Sequence, residues 1–347
     1  MNKNILKYKI PKELFGDIKT KEELHGKYKQ IAKENHPDAQ IDIDKPIATQ
    51  IFSKIVELYD LAKIQIDDGS YNAPKAVSMT ISLPKFGEIK VYDAVYSTEY
   101  HTYFEARLNN KSHILKVVNH EGDNDLIQNE SETIKHLAKE HIDTKKVNLL
   151  YPKIVKTFKI KNKAAALIAE CNFNDFVTVE DIIKENPDGI DEKDMAWMFR
   201  RMLVVASISY LASGINGSLV PSNVFLNLQD HSIFIPDWSF SVGKWSNKKY
   251  ISGFYGDYKD FYPKEVFDKT PSASLDIFMA AKVANKLCNA KTDKRISNFL
   301  NWCMAGPNSR PDTPMLADNK FVELIESLFG KRVFRDFSVK NSSIRRY

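Results

Sequence analysis

Three groups of residues have types and spacings suited to chemistry. Lys116 lies in HILKVV, a lone cation inside an apolar, strand-like run. It fits an edge-strand lysine that blocks pairing with another chain, and equally a phosphate-binding lysine acting as a compact point charge. Glu130 comes next in QNESETIKHL, where helical spacing turns Ile134 and Leu137 to its side. His36, Pro37 and Asp38 form the second group, between two helix-like segments. As a plain turn, the proline stops one helix and the aspartate caps the next segment. The third group is GINGSLVPSNVFLN, Gly214 to Asn227, which contains Ser218, Pro221 and Asn223 and is followed by FIPDWSF with Asp237.

The flanking patterns indicate the elements that position these groups. EELHGKYKQIAKEN sets Leu24, Tyr28 and Ile31 at helical spacing, with Lys27, Lys29 and Lys33 around them. ATQIFSKIVELYDLAKIQI gives a second stripe of Phe52, Ile55, Val56 and Tyr59. Two antiparallel helices, preceded by a short one, make a small helical domain over residues 1–70. Residues 71–85 carry two prolines and no helical period and read as a linker. IKVYDAVYST, TYFEARLN and SHILKVVN are β-branched and aromatic strand signals. A helix over 125–139 and two more strands, KIVKTFKI and KAAALIAE, come after them. From about Asp191 the pattern is mostly helical, and DEKDMAWMFRRMLVVASISYLAS is apolar enough for a buried central helix.

Bulk properties narrow the class. The net charge of +5 comes from 50 basic and 45 acidic residues spread along the chain, with no uninterrupted basic arm for nucleic acid. Cys171, Cys288 and Cys303 are far apart and lack a C-x-x-C spacing, which points away from a disulfide framework or zinc site and toward a reducing compartment. His101, His113, His120 and His141 have no metal-ligand spacing. The N-terminal residues lack a signal-peptide apolar run, and no stretch approaches the ~20 apolar residues of a membrane span. A cytoplasmic protein that binds neither nucleic acid nor membrane is expected.

The first 70 residues resemble the J-domain family of DnaJ-type co-chaperones. The resemblance rests on the Tyr and basic face of the second helix, the HPD, and the Phe and Tyr of the third helix, in ELHGKYKQIAKENHPD…ATQIFSKIVELYDLA. It implies that His36, Pro37 and Asp38 trigger ATP hydrolysis in a DnaK-type chaperone. It also implies that Lys27, Lys29 and Lys33 meet an acidic surface of that partner, which speeds encounter and fixes register.

Residues 86–330 resemble the protein-kinase fold. The resemblance rests on the order of Lys116, Glu130, GINGSLVPSNVFLN, FIPDWSF, YPKE (Tyr262–Glu265), SLDIFMAAKVA and PNSRP. It implies nucleotide binding by Lys116, Glu130 and Glu170, metal binding by Asn223 and Asp237, and structural roles for Glu265, Asp276 and Arg310. Three departures stand out. No glycine lies between Gly87 and Gly122, so VYSTEYHTYFEA replaces the phosphate-covering glycine-rich loop. Ser218 occupies the place of the catalytic aspartate, and Val220 that of the lysine two residues beyond it. Loss of a general base typically removes a factor of about 10²–10⁴, and the other two losses remove charge stabilisation at the transferred group.

The expected architecture is α+β: a J-domain (1–70), the linker, then a two-lobed kinase-like fold with a β-rich N-lobe (86–170), a helical C-lobe (171–337) and a tail (338–347). The expected function is that of a co-chaperone-like protein that recruits a DnaK-type chaperone. Its pseudokinase domain, with no catalytic residue, binds ATP with Mg²⁺ or a protein client. Two alternatives stay open: an active atypical kinase, and an interaction scaffold that binds no nucleotide.

Overall fold

The computed structural model of the chain describes residues 5–6, 8, 10–37, 45–71, 76–140, 151–169, 173, 176–228, 231–246, 248–331, 333 and 335–339. Two compact units divide at Ala76 and Val77.

The first unit holds α1 (Pro11–Phe15), α2 (Lys21–Asn35) and α3 (Lys45–Asp67). The Thr20 hydroxyl accepts the Glu23 N–H at 3.2 Å and starts α2, with Glu22 and Glu23 favourably placed in its first turn. Lys21 pairs with Asp67, Tyr28 stacks on Tyr59 and His36 meets Phe52, so rising numbers on α2 meet falling numbers on α3. The two helices are therefore antiparallel. The buried stripe of α3 is Ala48, Ile51, Ile55, Leu58 and Ala62; Phe52, Val56 and Tyr59 flank it, half-buried. The core face is thus rotated from the one the aromatic residues suggest. Large flat rings cover the seam, while branched aliphatics fill it. Asp38 lies outside the described residues.

The second unit opens with a six-stranded antiparallel sheet in the order β1-β2-β3-β4-β6-β5. Its strands are β1 (Met79–Leu83), β2 (Gly87–Ser97), β3 (His101–Leu108), β4 (Lys111–Val118), β5 (Ile154–Ile160) and β6 (Lys163–Ala169). β1 falls inside the stretch read as linker. Its pairing with β2, from Met79↔Val91 to Leu83↔Gly87, corrects that reading; the prolines on either side had outweighed the short alternation of Met79, Ile81 and Leu83 with Thr80 and Ser82 in a mostly exposed edge strand. The Lys156 ammonium, from the opposite edge strand β5, sits 5.4 Å from the Phe86 ring in the β1–β2 turn, so the sheet curls strongly.

Helix α4 (Asn124–Lys139) lies on this sheet. Ala164 and Ala166 on β6 form a cluster with Ile127 and Val118, and their small side chains let the helix approach closely.

The helical half holds α5 (Val179–Glu185), α6 (Glu192–Leu211), α7 (Lys264–Phe267), α8 (Leu275–Leu287), α9 (Lys294–Cys303) and α10 (Pro314–Phe329), and is built on α6, which packs against α8 and α10. Met195, Met198, Phe199, Met202, Leu203 and Val205 are fully buried, which accounts for the unbroken apolar look of that segment. Asp191 and Thr313 cap α6 and α10 by accepting the Lys193 and Leu316 N–H groups. Three strands, β7 (Val177–Thr178), β9 (Phe225–Leu226) and β10 (Ile233–Phe234), form a small sheet beneath the loop that carries Ser218 and Asn223. No helix among the described residues is long and apolar enough to cross a membrane.

Candidate functional site

Four elements converge on one buried cluster. Strand β4 supplies Lys116, α4 supplies Glu130, the segment after β10 supplies Asp237, and the 3-10 turn Pro221–Asn223 supplies Asn223. Lys116 Nζ donates to both Glu130 oxygens at 2.8 Å and to Asp237 Oδ1 at 2.9 Å. All three side chains have 0% exposure. The register of β3 on β4 sets Tyr103 opposite Lys116, with the ammonium 5.4 Å from the ring.

One face of α4 is knitted to the segment beyond Asp237. Asn129 Nδ2 donates to the Ser239 and Ser241 carbonyls, and Glu130 Oε1 accepts the Trp238 N–H at 2.9 Å. Thr133 Oγ1 accepts from the Trp245 indole at 2.8 Å, and His136 stacks on the same indole. That ring lies over Gly214 and Gly243, the paired glycines of β8 (Gly214–Ile215) and β11 (Val242–Gly243). A Cβ at either position would meet Trp245 ring carbons at 2.1 and 2.4 Å, so glycine is required at both.

The loop GINGSLVPSNVFLN is fixed from two sides. The Asp276 carboxylate accepts the Asn216 and Gly217 N–H groups at 2.7 and 2.9 Å. The Asn223 carboxamide donates to the Ser218 and Asp237 carbonyls and accepts the Asp237 N–H at 3.1 Å. Farther out, Arg310 meets Glu265 at 2.5 Å. Trp238 is a packing residue: its ring is buried and its indole donates to the Ile235 carbonyl.

Three side chains that the motifs do not single out complete the cluster. The Tyr255 hydroxyl donates to Asp237 Oδ2 in a very short hydrogen bond. His101 Nδ1 lies 3.8 Å from the same oxygen. Tyr100, on the loop that replaces the glycine-rich one, packs edge-on against Phe240 and Tyr255. The one sequence signal for these was aromatic density: VYSTEYHTYFEA and GFYGDYKDFYPKE crowd rings where a phosphate site would call for small residues.

Electrostatics are set by burial. Burial pushes the Asp237 carboxyl up, but the Lys116 ammonium, His101 and the hydrogen bonds from Lys116 and Tyr255 outweigh it and leave it below its ordinary value. Burial dominates at Glu130, which ends up raised even with Lys116 beside it. Burial, reinforced by Lys116, drives His101 down to about 3, so the ring is neutral. The Tyr255 phenol is raised well above its ordinary value by burial and the Asp237 charge, so it stays a donor.

By residue type this cluster suits a magnesium nucleotide; by geometry it does not fit one. Lys116 is spent on two carboxylates. Asp237 Oδ1 also accepts the Ser239 N–H at 3.0 Å, and its Oδ2 is taken by Tyr255. The Asn223 carboxamide is turned onto backbone groups, its oxygen accepting the Asp237 N–H. Beside the cluster, Tyr96, Tyr103, Phe173, Phe225 and Phe234 form a buried aromatic core, and the Tyr96 hydroxyl donates to the Ser222 carbonyl at 2.6 Å. Ser218 is fully buried, so neither its hydroxyl nor Val220 presents a group to a substrate. Glu170 lies outside the described residues. Among those residues no group of three or more His, Cys, Asp or Glu side chains is arranged to hold a metal ion.

No family model matches the chain, and no curated protein matches it in sequence. Solved structures do match in fold. Vaccinia related kinase 3 superposes with a TM-score of 0.54 at 12% identity, covering 74% of this chain and 92% of that one. The BubR1 kinase domain gives 0.53 at 12%, covering 80% and 94%. A double mutant of the PknI kinase domain of Mycobacterium tuberculosis gives 0.51 at 11%, covering 73% and 100%. At such identities the likeness establishes the fold.

Proposed function

We propose that this chain, in which the structure neighbours show a protein-kinase-like fold, is a non-catalytic adaptor. Its kinase-like unit holds a protein client, and its helical unit brings a DnaK-type chaperone to that client. The observation that carries the non-catalytic part is the sealed Lys116–Glu130–Asp237 cluster, in which every group that would touch nucleotide or metal is bonded to another part of the protein. Ser218 supplies no base. This favours the client-binding form of the pseudokinase reading over the nucleotide-binding form and over phosphotransfer.

For the chaperone-recruiting part, the support is the antiparallel α2–α3 pair with His36 and Pro37 at the end of α2. Lys29 and Lys33 are exposed on α2 and form no ion pair among the described residues. Lys27 is less available, because its ammonium donates to the Phe15 carbonyl at 2.6 Å. The test is ATP turnover by a DnaK-type chaperone in the presence of the full chain. Stimulation that His36→Gln abolishes supports the reading. No stimulation, or equal stimulation by the variant, overturns it.

A further inference from the structure

Residues 335–339, RDFSV, lie across the start of α6 without forming helix or strand. Asp191, which caps α6, is followed at three-residue steps by Asp194 and Trp197, so the three share one side of the helix. Arg335 pairs with both carboxylates, and the Ser338 N–H and hydroxyl donate to Asp194 Oδ2 at 2.8 and 2.7 Å. The Phe337 ring centroid is 4.0 Å from that of His231, in the β9–β10 turn, and 5.2 Å from that of Trp197. Val339 is buried in the main core. Arg335, Phe337 and Val339 thus face inward while Asp336 and Ser338 are exposed, the alternation of an extended chain laid down on one face.

We infer that this side of α6 and the β9–β10 turn form a docking groove for an extended peptide, with segment 335–339 as its intramolecular occupant. The partner is a protein segment that presents an arginine, an aromatic residue two positions on and an aliphatic residue two further. It binds by displacing the chain's own copy of that pattern. The groove gives the client-holding reading a site, and rests on that reading only for calling the partner a client.

Asp194 carries the argument. It has 2% exposure, and among the described residues the hydrogen-bond partners of its carboxylate all lie in 335–338. A carboxylate so buried demands a cation and N–H or O–H donors from whatever fills the groove. Packing alone would be served by apolar residues of similar volume, so the carboxylate selects its occupant. Main-chain N–H readout combined with sites for alternate side chains is how extended peptides are recognised. The occupant can also leave: Asp336 and Ser338 are exposed, the Arg335 side chain is 40% exposed, and only Val339 reaches the core. A short tether joins it to Phe329 at the end of α10, so it competes at an effective concentration on the order of mM. A free matching segment therefore binds the intact chain weakly, and binds well once the occupant is disabled.

The test uses the full chain and a fluorescein-labelled synthetic peptide, VFRDFSVK, read by fluorescence anisotropy. Arg335→Ala with Phe337→Ala disables the occupant and leaves the groove intact. The double variant is expected to bind the peptide at least about tenfold more tightly than wild type. Asp194→Asn in that background should remove the gain, as should replacing the arginine or the second phenylalanine of the peptide by alanine. Equal binding to wild type and double variant, binding to neither, or undiminished binding of the altered peptides overturns the inference. A wild-type dimer in sedimentation that Phe337→Ala dissolves would give the groove to a second copy, and overturns it too. If Asp194→Asn fails to fold, the altered peptides decide alone; if the double variant fails, Phe337→Ala replaces it. A reduced and alkylated, permanently unfolded model protein separates this inference from the client-holding reading. Its binding without a peptide response sinks the groove alone, and a peptide response without its binding sinks the client reading and leaves the groove.

Discussion

Lys116 and Asp237 are bonded to each other at 2.9 Å with no solvent at either side chain, and Glu130 closes the triangle on the same ammonium. A lysine that served a nucleotide would need an open face. This one serves the fold. Removing it leaves two carboxylates buried without a counter-charge. Lys116→Met is therefore expected to destabilise the larger unit by about 3–5 kcal/mol, read from urea unfolding. A loss under about 1 kcal/mol would mean the cluster opens to water readily.

The neutral, buried His101 makes a pH-dependent prediction. Its folded pKa of about 3 lies below the ordinary value of 6.5, because burial and then Lys116 disfavour the charged ring. A depressed pKa contributes stability above the unfolded value and loses it as pH falls. From pH 6.5 down toward 3, His101 should cost about 1.4 kcal/mol per pH unit. Glu130 and Asp276 are raised and contribute the opposite sign: their stability is present at low pH and lost as pH rises through their folded values. The informative quantity is thus the difference from His101→Phe, which should gain on wild type steadily below pH 6.5. Parallel pH curves for the two proteins would refute a buried neutral histidine.

Restoring the absent carboxylate should not restore chemistry. Ser218→Asp places a charge at a position with 0% exposure, where the nearby Asn223 already donates to the residue 218 carbonyl. Lys116, the ammonium of the neighbouring cluster, is already bonded to two carboxylates. The expected outcome is a lower unfolding midpoint and no transfer of label from radiolabelled ATP. Measurable transfer would show that the cluster can rearrange around a nucleotide.

Much of this was legible in the sequence because periodicity reports burial. The strands β2 to β6, α4 and the buried α6 are all signalled by apolar spacing. Lys116, Glu130 and Asp237 were recognisable by type and order, and the structure joins them. What sequence order could not reveal was whether the space between them was open. That depends on side chains from two distant loops, around Tyr100 and Tyr255, whose meeting is a property of the closed fold. The strand β1 was missed for a different reason: Met79, Ile81 and Leu83 do alternate with Thr80 and Ser82, but the run is only five residues long and Pro74 and Pro84 on either side of it read as linker. The rotated face of α3 was missed because Phe52, Val56 and Tyr59 share helical spacing with Ile55 and so form a stripe that competes with Ile51, Ile55, Leu58 and Ala62, yet the rings settle at the margin of the seam.

That rotated face gives the last prediction. Leu24 on α2 and Leu58 on α3 both have 0% exposure and share one cluster with Phe15, Ile18 and Ala62. Truncating either should cost about 2–5 kcal/mol, a large part of what so small a helical unit can muster. Val56, half-buried beside the stripe, should tolerate alanine at about 1 kcal/mol or less. Since Leu24 and Leu58 belong to the smaller of the two compact units, Leu24→Ala should melt the helices early. It should leave the thermal transition of the larger unit where it was. Circular dichroism at two wavelengths, helical and aromatic, separates the events. A single transition lowered as a whole by Leu24→Ala would mean that the two units unfold cooperatively.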